Sequence, residues 1–319
     1  MNRTERTAVV GAGAMGTGLA VQFALCGLDV TLIDHRQSNL DAARETIADV
    51  VEFLDERGIA DAPTGTDDTP SDAVLDRTGF TLDLADGVAG TDLVLETVSE
   101  DLAIKREVFE RAARATTDAV LATNTSSLQV TDVAEGAPGH GDRVVGCHWW
   151  YPPYLLCPVE VVAGEETSTE TLRRTQAFVE RVDRDPVVVR RDVPGFVWNR
   201  IQFAVLRECV HIVEAGVASV EDVNRAVRDG YARRTAVVGP FETVDIAGLE
   251  LFETIAEGLY PHLCDDDEPG ELFADHVDRG RGGVEDGAGF LEYDEPAEAV
   301  TRRRDERLAT LRRVLDAEE

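Results

Sequence analysis

A histidine and a glutamate in this sequence are placed to act together as an acid–base pair. His148 ends one short apolar segment and Glu160 lies in the next, across a loop rich in proline and aromatic residues. In neighbouring strands, the carboxylate would fix the imidazole tautomer and stabilise the imidazolium formed when the ring takes a proton. The pair therefore predicts general base catalysis, such as proton removal from an alcohol. A histidine beside Trp149 and Trp150 is otherwise typical of a packed core residue.

A glycine-rich turn near the start of the chain indicates what the base would work with. The turn lies between an apolar run at 8–10 and a segment of helical spacing at 17–26, and consists of Gly11, Ala12, Gly13, Ala14, Met15 and Gly16. A second apolar run at 30–33 ends in Asp34, and this order predicts a dinucleotide-binding βαβ unit. The glycines let the backbone approach a pyrophosphate at a helix N-terminus. Asp34 would bind the adenosine ribose and repel a 2′-phosphate, so we expect NAD as the cofactor, with Arg36 as the residue that would favour NADP.

Alternating strands and helices must position these residues. The predicted strands are 8–10, 30–33, 93–97, 120–123, 143–148, 159–162 and 187–189. The predicted helices are 17–26, 38–57, 102–116 and 168–184. Ser38 is the expected cap of the second helix, and 59–78 is predicted as a loop or a weak helical segment. The alternation predicts an α/β fold with a doubly wound, mostly parallel Rossmann sheet, whose ligands bind beyond the carboxyl ends of the strands.

The pattern changes to helical segments after the last predicted strand. Residues 196–215 are apolar on nearly every face, which predicts a helix buried in a domain core or a subunit interface. We therefore divide the chain into an NAD-binding domain at 1–190, an all-α substrate and dimerisation domain at 191–295, and a tail helix within 296–319. A homodimer is the expected assembly.

The charge balance excludes several classes of partner. The chain has 62 acidic and 31 basic residues, for a formal net charge of −31, and the acids are spread along its whole length. Such a surface repels nucleic acid and anionic membranes, so we expect neither as a partner. Adaptation to a very salty cytoplasm explains the excess, since the Debye length falls to about 3 Å in molar salt. Lys105 is the only lysine, which suggests a specific role.

The remaining composition predicts a cytoplasmic protein without a metal. The 5 cysteines are scattered and form no C-x-x-C motif, which is typical of reduced thiols. No apolar run reaches membrane-spanning length, and the first predicted strand leaves no room for a signal peptide. The histidines show no ligand spacing with cysteine or carboxylate residues, so no metal is predicted.

Six motifs occur here in an order that resembles the L-3-hydroxyacyl-CoA dehydrogenase family over almost the whole chain. Besides the glycine turn they are Glu100 with Lys105, Asn124-Thr125-Ser126-Ser127-Leu128, His148…Pro152…Val159-Glu160-Val161, Pro194-Gly195-Phe196-Val197-x-Asn199-Arg200 and Gly239-Pro240-Phe241-Glu242. The resemblance implies a two-domain NAD enzyme that dimerises through its helical domain.

The resemblance also implies a role for each matching residue. His148 would be the catalytic base and Glu160 its partner, while Ser127 and Asn199 would hold the substrate oxygen. The implied cofactor contacts, beyond the glycine turn and Asp34, are Glu100, Lys105 and Asn124. The expected reaction oxidises the 3-hydroxyl of a short-chain 3-hydroxyacyl-CoA to the 3-keto form, with hydride transfer to NAD.

Several positions depart from the family pattern and support an alternative substrate. Trp149-Trp150-Tyr151 replaces the usual Phe-Phe-Asn, and Glu285 replaces a usual lysine. The segment 34–79, where acyl-CoA enzymes generally carry basic residues for the CoA phosphates, has no lysine. Other motifs resemble a branch that contains L-gulonate dehydrogenase (lambda-crystallin) and carnitine dehydrogenases. The alternative is therefore a dehydrogenase of a small free 3-hydroxy acid. A third hypothesis, a binding protein that keeps the fold without turnover, is disfavoured by the intact site.

Overall fold

An eight-stranded sheet forms the centre of the first of two units in the computed structural model, which describes residues 6–59 and 69–316. The strands, in chain order, are β1 Arg6–Val10, β2 Asp29–Ile33, β3 Thr78–Thr81, β4 Leu93–Glu96, β5 Val120–Thr123, β6 Val144–Trp149, β7 Pro158–Val162 and β8 Asp185–Val189. Their spatial order is β3-β2-β1-β4-β5-β6-β7-β8, and every neighbouring pair is parallel except β6 and β7. The order reverses between β1 and β4, which is the point where doubly wound sheets bind ligands. The predicted fold class is confirmed.

Helices cover both faces of the sheet. They are α1 Ala14–Leu25, α2 Gln37–Asp55, α3 Pro70–Asp76, α4 Leu84–Val88, α5 Leu102–Ala115, α6 Val130–Ala134 and α7 Thr169–Arg181. Successive residues of β1 point into opposite cores: Val9 packs in one apolar cluster, and Ala8 and Val10 in the other. Because both faces are covered, the strands are continuous apolar runs rather than alternating ones.

The segment around α2 and β3 corrects the sequence analysis. Helix α2 begins at Gln37, with Arg36 at the capping position, so Ser38 is not the cap. The carboxylate of Asp34 instead accepts the Arg36 amide and organises the entry to the helix. Helix α3, which Thr69 caps, agrees with the weak helical segment predicted within 59–78, whereas strand β3, which begins at Thr78, was not predicted. Residues 60–68 of that segment lie outside the described residues.

The second unit is helical. Its helices are α8 Trp198–Glu214, α9 Val220–Ala226, α10 Ala232–Thr235, α11 Pro240–Ala247, α12 Leu249–Leu259, α13 Glu271–Asp278 and α14 Ala297–Asp316. The first unit extends to Asn199 and regains the chain at Leu308–Arg313, so α8 and α14 each belong to both units. The predicted boundary between the two domains was at residue 190, and the tail helix within 296–319 was predicted to be separate from both. Among the described helices, none combines the length and apolar character that crossing a membrane requires.

Helix α8, which was predicted to be buried in a domain core or a subunit interface, is largely exposed within the single chain. Val210 is its only buried residue, whereas Phe203 is 59% and Ile201 51% exposed. Elsewhere in the second unit, Phe241 and Ile246 are 84% and 77% exposed. A single chain therefore does not bury this helix in a domain core, which leaves the subunit interface as the predicted alternative.

Candidate active site

The glycine turn joins β1 to α1 and meets the requirements of a phosphate-binding turn. Gly11 has a φ of 110°, and a Cβ there would lie 2.7 Å from the backbone oxygen of Thr97. A Cβ on Gly16 would lie 1.8 Å from the Gly11 oxygen. Gly13, the N-cap of α1, instead faces open space, with Ala14 and Met15 opening the helix after it. Two glycines are therefore required by packing, and the third leaves the helix N-terminus open to an anion.

Asp34 lies at the carboxyl end of β2 and ties the glycine turn in place. Its Oδ2 accepts the Ala12 amide at 2.9 Å, and its Oδ1 accepts the Asn39 side-chain amide at 3.0 Å. The carboxylate lines a cavity of 530 Å³ together with Gly11, Gly13 and Asn39. This donor and acceptor set fits the adenosine end of a dinucleotide, with Asp34 at the position expected to contact the ribose.

His148 and Glu160 are direct neighbours across the antiparallel pair β6 and β7. The imidazole Nδ1 lies 2.7 Å from Glu160 Oε2, and both side chains are buried. Since Nδ1 is engaged by the carboxylate, the proton of neutral His148 is placed on Nδ1 and Nε2 is left as the basic atom. The structure therefore brings together the pair that the sequence analysis selected, in the geometry of a base with its orienting acid.

The turn after β8 supplies the second set of partners for Glu160. Its Oε1 accepts the backbone amides of Val197 and Trp198 at 2.8 and 3.0 Å. Gly195 and Phe196, with φ of 76° and 48°, form the left-handed turn that directs these amides. Burial alone would raise the pKa of Glu160, but the hydrogen bonds from His148 and the two amides outweigh it and lower that pKa below its ordinary value. Glu160 therefore stays ionised beside the imidazole.

Phe196 is a contributor that the sequence analysis did not assign. Its ring is buried and lies 5.8 Å from the His148 ring, centroid to centroid. A left-handed conformation in a non-glycine residue costs on the order of 1–3 kcal/mol, which the surrounding contacts must offset. The Pro194-Gly195-Phe196 sequence was part of the motif quoted for Asn199, and it was the available signal for this turn.

Glu100 organises the turn after β5. Its Oε1 accepts hydrogen bonds from the Thr125 hydroxyl, the Ser126 and Ser127 amides and the Ser127 hydroxyl, at 2.6–3.0 Å. Burial would raise the pKa of Glu100, but these donors and Lys105 lower it to about 2. The carboxylate thereby fixes Ser127, which is exposed at the surface of this turn.

Lys105 is buried between two carboxylates. Its Nζ lies 2.8 Å from Glu96 Oε1 and 3.2 Å from Glu100 Oε2, and its side chain is 1% exposed. Glu96 in turn accepts the Thr123 hydroxyl at 2.7 Å. A buried charge is stable only when it is paired, so this chain's one lysine links β4, β5 and the start of α5. The predicted contacts of Glu100 and Lys105 with the cofactor remain predictions.

The two asparagines assigned by the resemblance also hold backbone segments together. Asn124 Oδ1 accepts the Trp149 amide at 2.7 Å, which joins the ends of β5 and β6. Asn199 Nδ2 donates to the Ser126 carbonyl at 3.0 Å, so Asn199 lies at the turn that carries Ser127, and their contact with the substrate oxygen stays a prediction. Trp198 stacks on Trp150, with ring centroids 4.0 Å apart. The fold and this site define a dinucleotide-dependent dehydrogenase.

Comparison with known families identifies the group. Residues 6–193 match the 3-hydroxyacyl-CoA dehydrogenase NAD-binding domain, and residues 195–293 match the 3-hydroxyacyl-CoA dehydrogenase C-terminal domain. The chain belongs to the 3-hydroxyacyl-CoA dehydrogenase family. It is an NAD-dependent oxidoreductase of that family, as the sequence motifs predicted.

Two relatives and one solved structure show how close the similarity is. The 5-formyl-3-hydroxy-2-methylpyridine 4-carboxylate 5-dehydrogenase of Mesorhizobium japonicum is 33% identical over 98% of this chain and 98% of its own length. The 3-hydroxybutyryl-CoA dehydrogenase of Mycobacterium tuberculosis is 35% identical over 91% of this chain and 98% of its own. The crystal structure of a 5-formyl-3-hydroxy-2-methylpyridine 4-carboxylic acid 5-dehydrogenase, an NAD⁺-dependent dismutase, superimposes with a TM-score of 0.90 at 32% identity, covering 98% of this chain and 99% of that one.

Proposed function

We propose that this enzyme oxidises the 3-hydroxyl group of a short-chain 3-hydroxyacyl-CoA to a ketone. The observation that carries the proposal is the buried His148–Glu160 pair at 2.7 Å, with Nε2 of His148 left as a base. A relative named 3-hydroxybutyryl-CoA dehydrogenase aligns over 91% of the chain and supports this substrate class.

The protein residues divide the proton chemistry among them. His148 Nε2 accepts the proton of the substrate hydroxyl, and Glu160 stabilises the resulting imidazolium through Nδ1. Ser127 and Asn199, held at one turn by Glu100 and the Ser126 carbonyl, orient the substrate oxygen. Bound NAD supplies the acceptor for the hydride that leaves the carbinol carbon. In the reverse direction the protonated His148 returns its proton to the ketone oxygen.

A second candidate, oxidation of a small free hydroxy acid, is favoured by the arginines of the segment 34–79. Arg44 stacks on the Phe80 ring at 3.6 Å and Arg57 on the Phe53 ring at 4.0 Å. Arg77 donates to the Gly27 carbonyl at 3.2 Å. Three of the four basic residues in this segment are thus engaged within the chain, which leaves few groups for the CoA phosphates. A relative that aligns over 98% of the chain is named for a substrate with a free carboxylate, which supports the absence of CoA, although the group at its position 5 is a formyl rather than a hydroxyl group.

A matched pair of substrates separates the two candidates. We would measure NADH production in molar KCl with 3-hydroxybutyryl-CoA, free 3-hydroxybutyrate, L-gulonate and L-carnitine. For the pyridine carboxylate of the Mesorhizobium relative we would measure substrate consumption, because a dismutase returns its hydride to a second substrate molecule and releases no net NADH. The first candidate predicts the highest kcat/KM for the thioester, whereas a free acid that exceeds it would establish the second. No turnover with any of them would contradict both.

We also propose that two copies of the chain pair through the second unit, in a reducing cytoplasm. Large apolar side chains cover the surface of that unit, among them Phe203, Phe241, Ile246 and Leu249. Exposed apolar area on this scale marks a protein–protein contact, and isologous pairing is the commonest arrangement. None of the five cysteines, which all lie in the described part of the chain, forms a disulfide, in keeping with a reducing compartment.

A further inference from the structure

The second unit brings together three side chains with different metal-binding chemistry. His211 lies on α8, while Cys264 and Asp266 lie on the segment between α12 and α13. One ligand atom of each residue (an imidazole nitrogen, the thiol sulfur and a carboxylate oxygen) lies within 4.8 Å of the other two. His211 and Cys264 are half-buried, and Asp266 is exposed. The fold therefore assembles a nitrogen, sulfur and oxygen donor set that the spacing in the sequence does not reveal.

Backbone contacts hold this segment against α8. The Cys264 amide donates to Glu208 Oε2 at 2.8 Å, and Arg207 Nη1 donates to the Asp266 carbonyl at 3.1 Å. Glu208 and His211 are three residues apart in the helix and so lie on one face, the spacing that carboxylate–histidine metal sites use. These contacts position the donor groups before any ion arrives, which lowers the entropic cost of binding one.

The donor set selects the type of metal. A thiolate and an imidazole suit Zn²⁺, whereas Ca²⁺ and Mg²⁺ take oxygen ligands. With bonds of about 2.0–2.3 Å, two ligands of a tetrahedral zinc ion lie about 3.3–3.8 Å apart. Cys264 Sγ lies 3.2 Å from Asp266 Oδ2, close to that separation, and all three donor atoms lie within 4.8 Å of one another.

We propose that His211, Cys264 and Asp266 bind one Zn²⁺ ion, which fastens the segment between α12 and α13 to helix α8. Binding releases the Cys264 thiol proton to solvent and leaves a fourth position for water or Glu208. The donors line an open cavity of 710 Å³, where the carboxylates of Glu214, Asp266, Asp267 and Glu268 outnumber the two arginines, Arg200 and Arg207, so the net charge of the lining favours a cation. None of the three donors belongs to the proposed catalytic set, so this site and the dehydrogenase activity can be tested separately.

Cobalt is a spectroscopic probe for this site. We would titrate the tag-free, chelator-treated full-length protein with Co²⁺ in molar KCl and record the near-ultraviolet and visible spectra. One equivalent is expected to saturate a thiolate-to-cobalt charge-transfer band together with the visible bands of a tetrahedral ion, and Zn²⁺ is expected to remove both. A featureless spectrum, or weak binding of several ions without a thiolate band, would overturn the proposal.

Variants test the assignment of each donor. Cys264→Ser should abolish the charge-transfer band. Cys209→Ser removes a thiol of α8, the helix that carries His211, but lies outside the cluster and should leave the band unchanged. Asp266→Asn alters an exposed side chain, so folding is preserved. It should weaken Co²⁺ affinity by at least roughly 10-fold, because losing even a residue that only hydrogen-bonds to a metal ligand has an effect of this size. A band that survives Cys264→Ser, or that disappears in Cys209→Ser, would show that the ligand set is wrong. NADH production by the metal-free protein tests the proposed function independently.

Discussion

The two units of this protein differ in how much apolar surface a single chain can bury. In the first unit, β4, β5 and β6 are buried at every position, and two apolar clusters lie against the faces of the sheet. In the described part of the second unit, Val210 is the only buried large apolar residue. A sheet covered on both faces forms a complete core, whereas helices with an exposed apolar surface require a further partner. The residues proposed for the dehydrogenase reaction lie in the unit whose core is complete.

The largest effect is expected from a change in the first unit at the base. His148→Gln should lower kcat on the order of 10²-fold or more while NAD binding persists, because the glycine turn and Asp34, rather than His148, are proposed to hold the cofactor. Turnover and NAD affinity would be measured together, with His140→Gln, at an exposed position, as the matched control. Near-full activity of the His148 variant would exclude it as the base.

The next effect concerns the apolar surface of the second unit. Ile246→Asp places a charge at a position that is 77% exposed in the single chain, and should convert the proposed dimer into a monomer. Light scattering in high salt should change from twice 34.7 kDa to 34.7 kDa. Val188→Asp, at an exposed position in the first unit, should leave the mass unchanged. A wild-type protein that is already monomeric would contradict the proposed dimer.

Salt should separate the stabilities of the two units. The chain has a net charge of −31, and at low ionic strength the repulsion extends over about 30 Å. All 3 tryptophans, Trp149, Trp150 and Trp198, lie in the first unit, so their fluorescence reports mainly that unit, although Trp198 begins the helix α8 that continues into the second unit. On lowering KCl from molar concentration, the helical circular dichroism signal should fall before the tryptophan emission shifts. Coincident changes would contradict the ranking of the two units by stability. No dependence on salt would contradict the halophilic interpretation as well.

The smallest effect is on the acid stability of the first unit. Glu100 has a folded-state pKa of about 2 against an ordinary value of 4.5, so the unfolded chain takes up the proton first as the pH falls. Glu100 therefore contributes stability above pH 4.5 that is lost between 4.5 and 2. Because its side chain is 37% exposed, solvent screening reduces this contribution.

Glu100→Gln should flatten the decline in unfolding free energy between pH 5 and 3, measured by denaturant titration of tryptophan fluorescence. Glu45→Gln, on the exposed face of α2, provides the comparison. A decline of equal slope in the wild type and the Glu100 variant would mean that the network around Ser127 does not affect stability.

Local patterns in the sequence predicted the parts of the site that strong strands carry. His148 and Glu160 each lie in an apolar run, and a short loop makes the two strands neighbours, so their contact followed from spacing. Strand β3 was not predicted because Thr78–Thr81, with Gly79 and Phe80 at its centre, has no clear strand pattern in its sequence. Its extended conformation is stabilised by pairing with β2. The cap of α2 was wrong because Asp34, from the preceding strand, took part in organising the helix entry.

The remaining contacts depend on residues that are distant in sequence. The amides of Val197 and Trp198 reach Glu160 only because Phe196 adopts a left-handed conformation, which no residue preference predicts. The proposed metal-binding cluster joins His211 to residues that follow four further α-helices, α9 to α12, so its donors show no motif spacing. Such contacts arise from the tertiary fold and are invisible to periodicity.

Helix α14 bears on how the protein is made. Its residues Leu308–Arg313 belong to the first unit, where Ala309 is 1% exposed within the core and Arg312 Nη1 donates to the Tyr154 carbonyl at 2.9 Å. A ribosome releases residues 1–199 well before it has synthesised these. The last core contact of the first unit's sheet can therefore form only after almost the whole chain has been translated. A gene fragment that encodes only the first 199 residues would yield a Rossmann sheet with an uncovered patch.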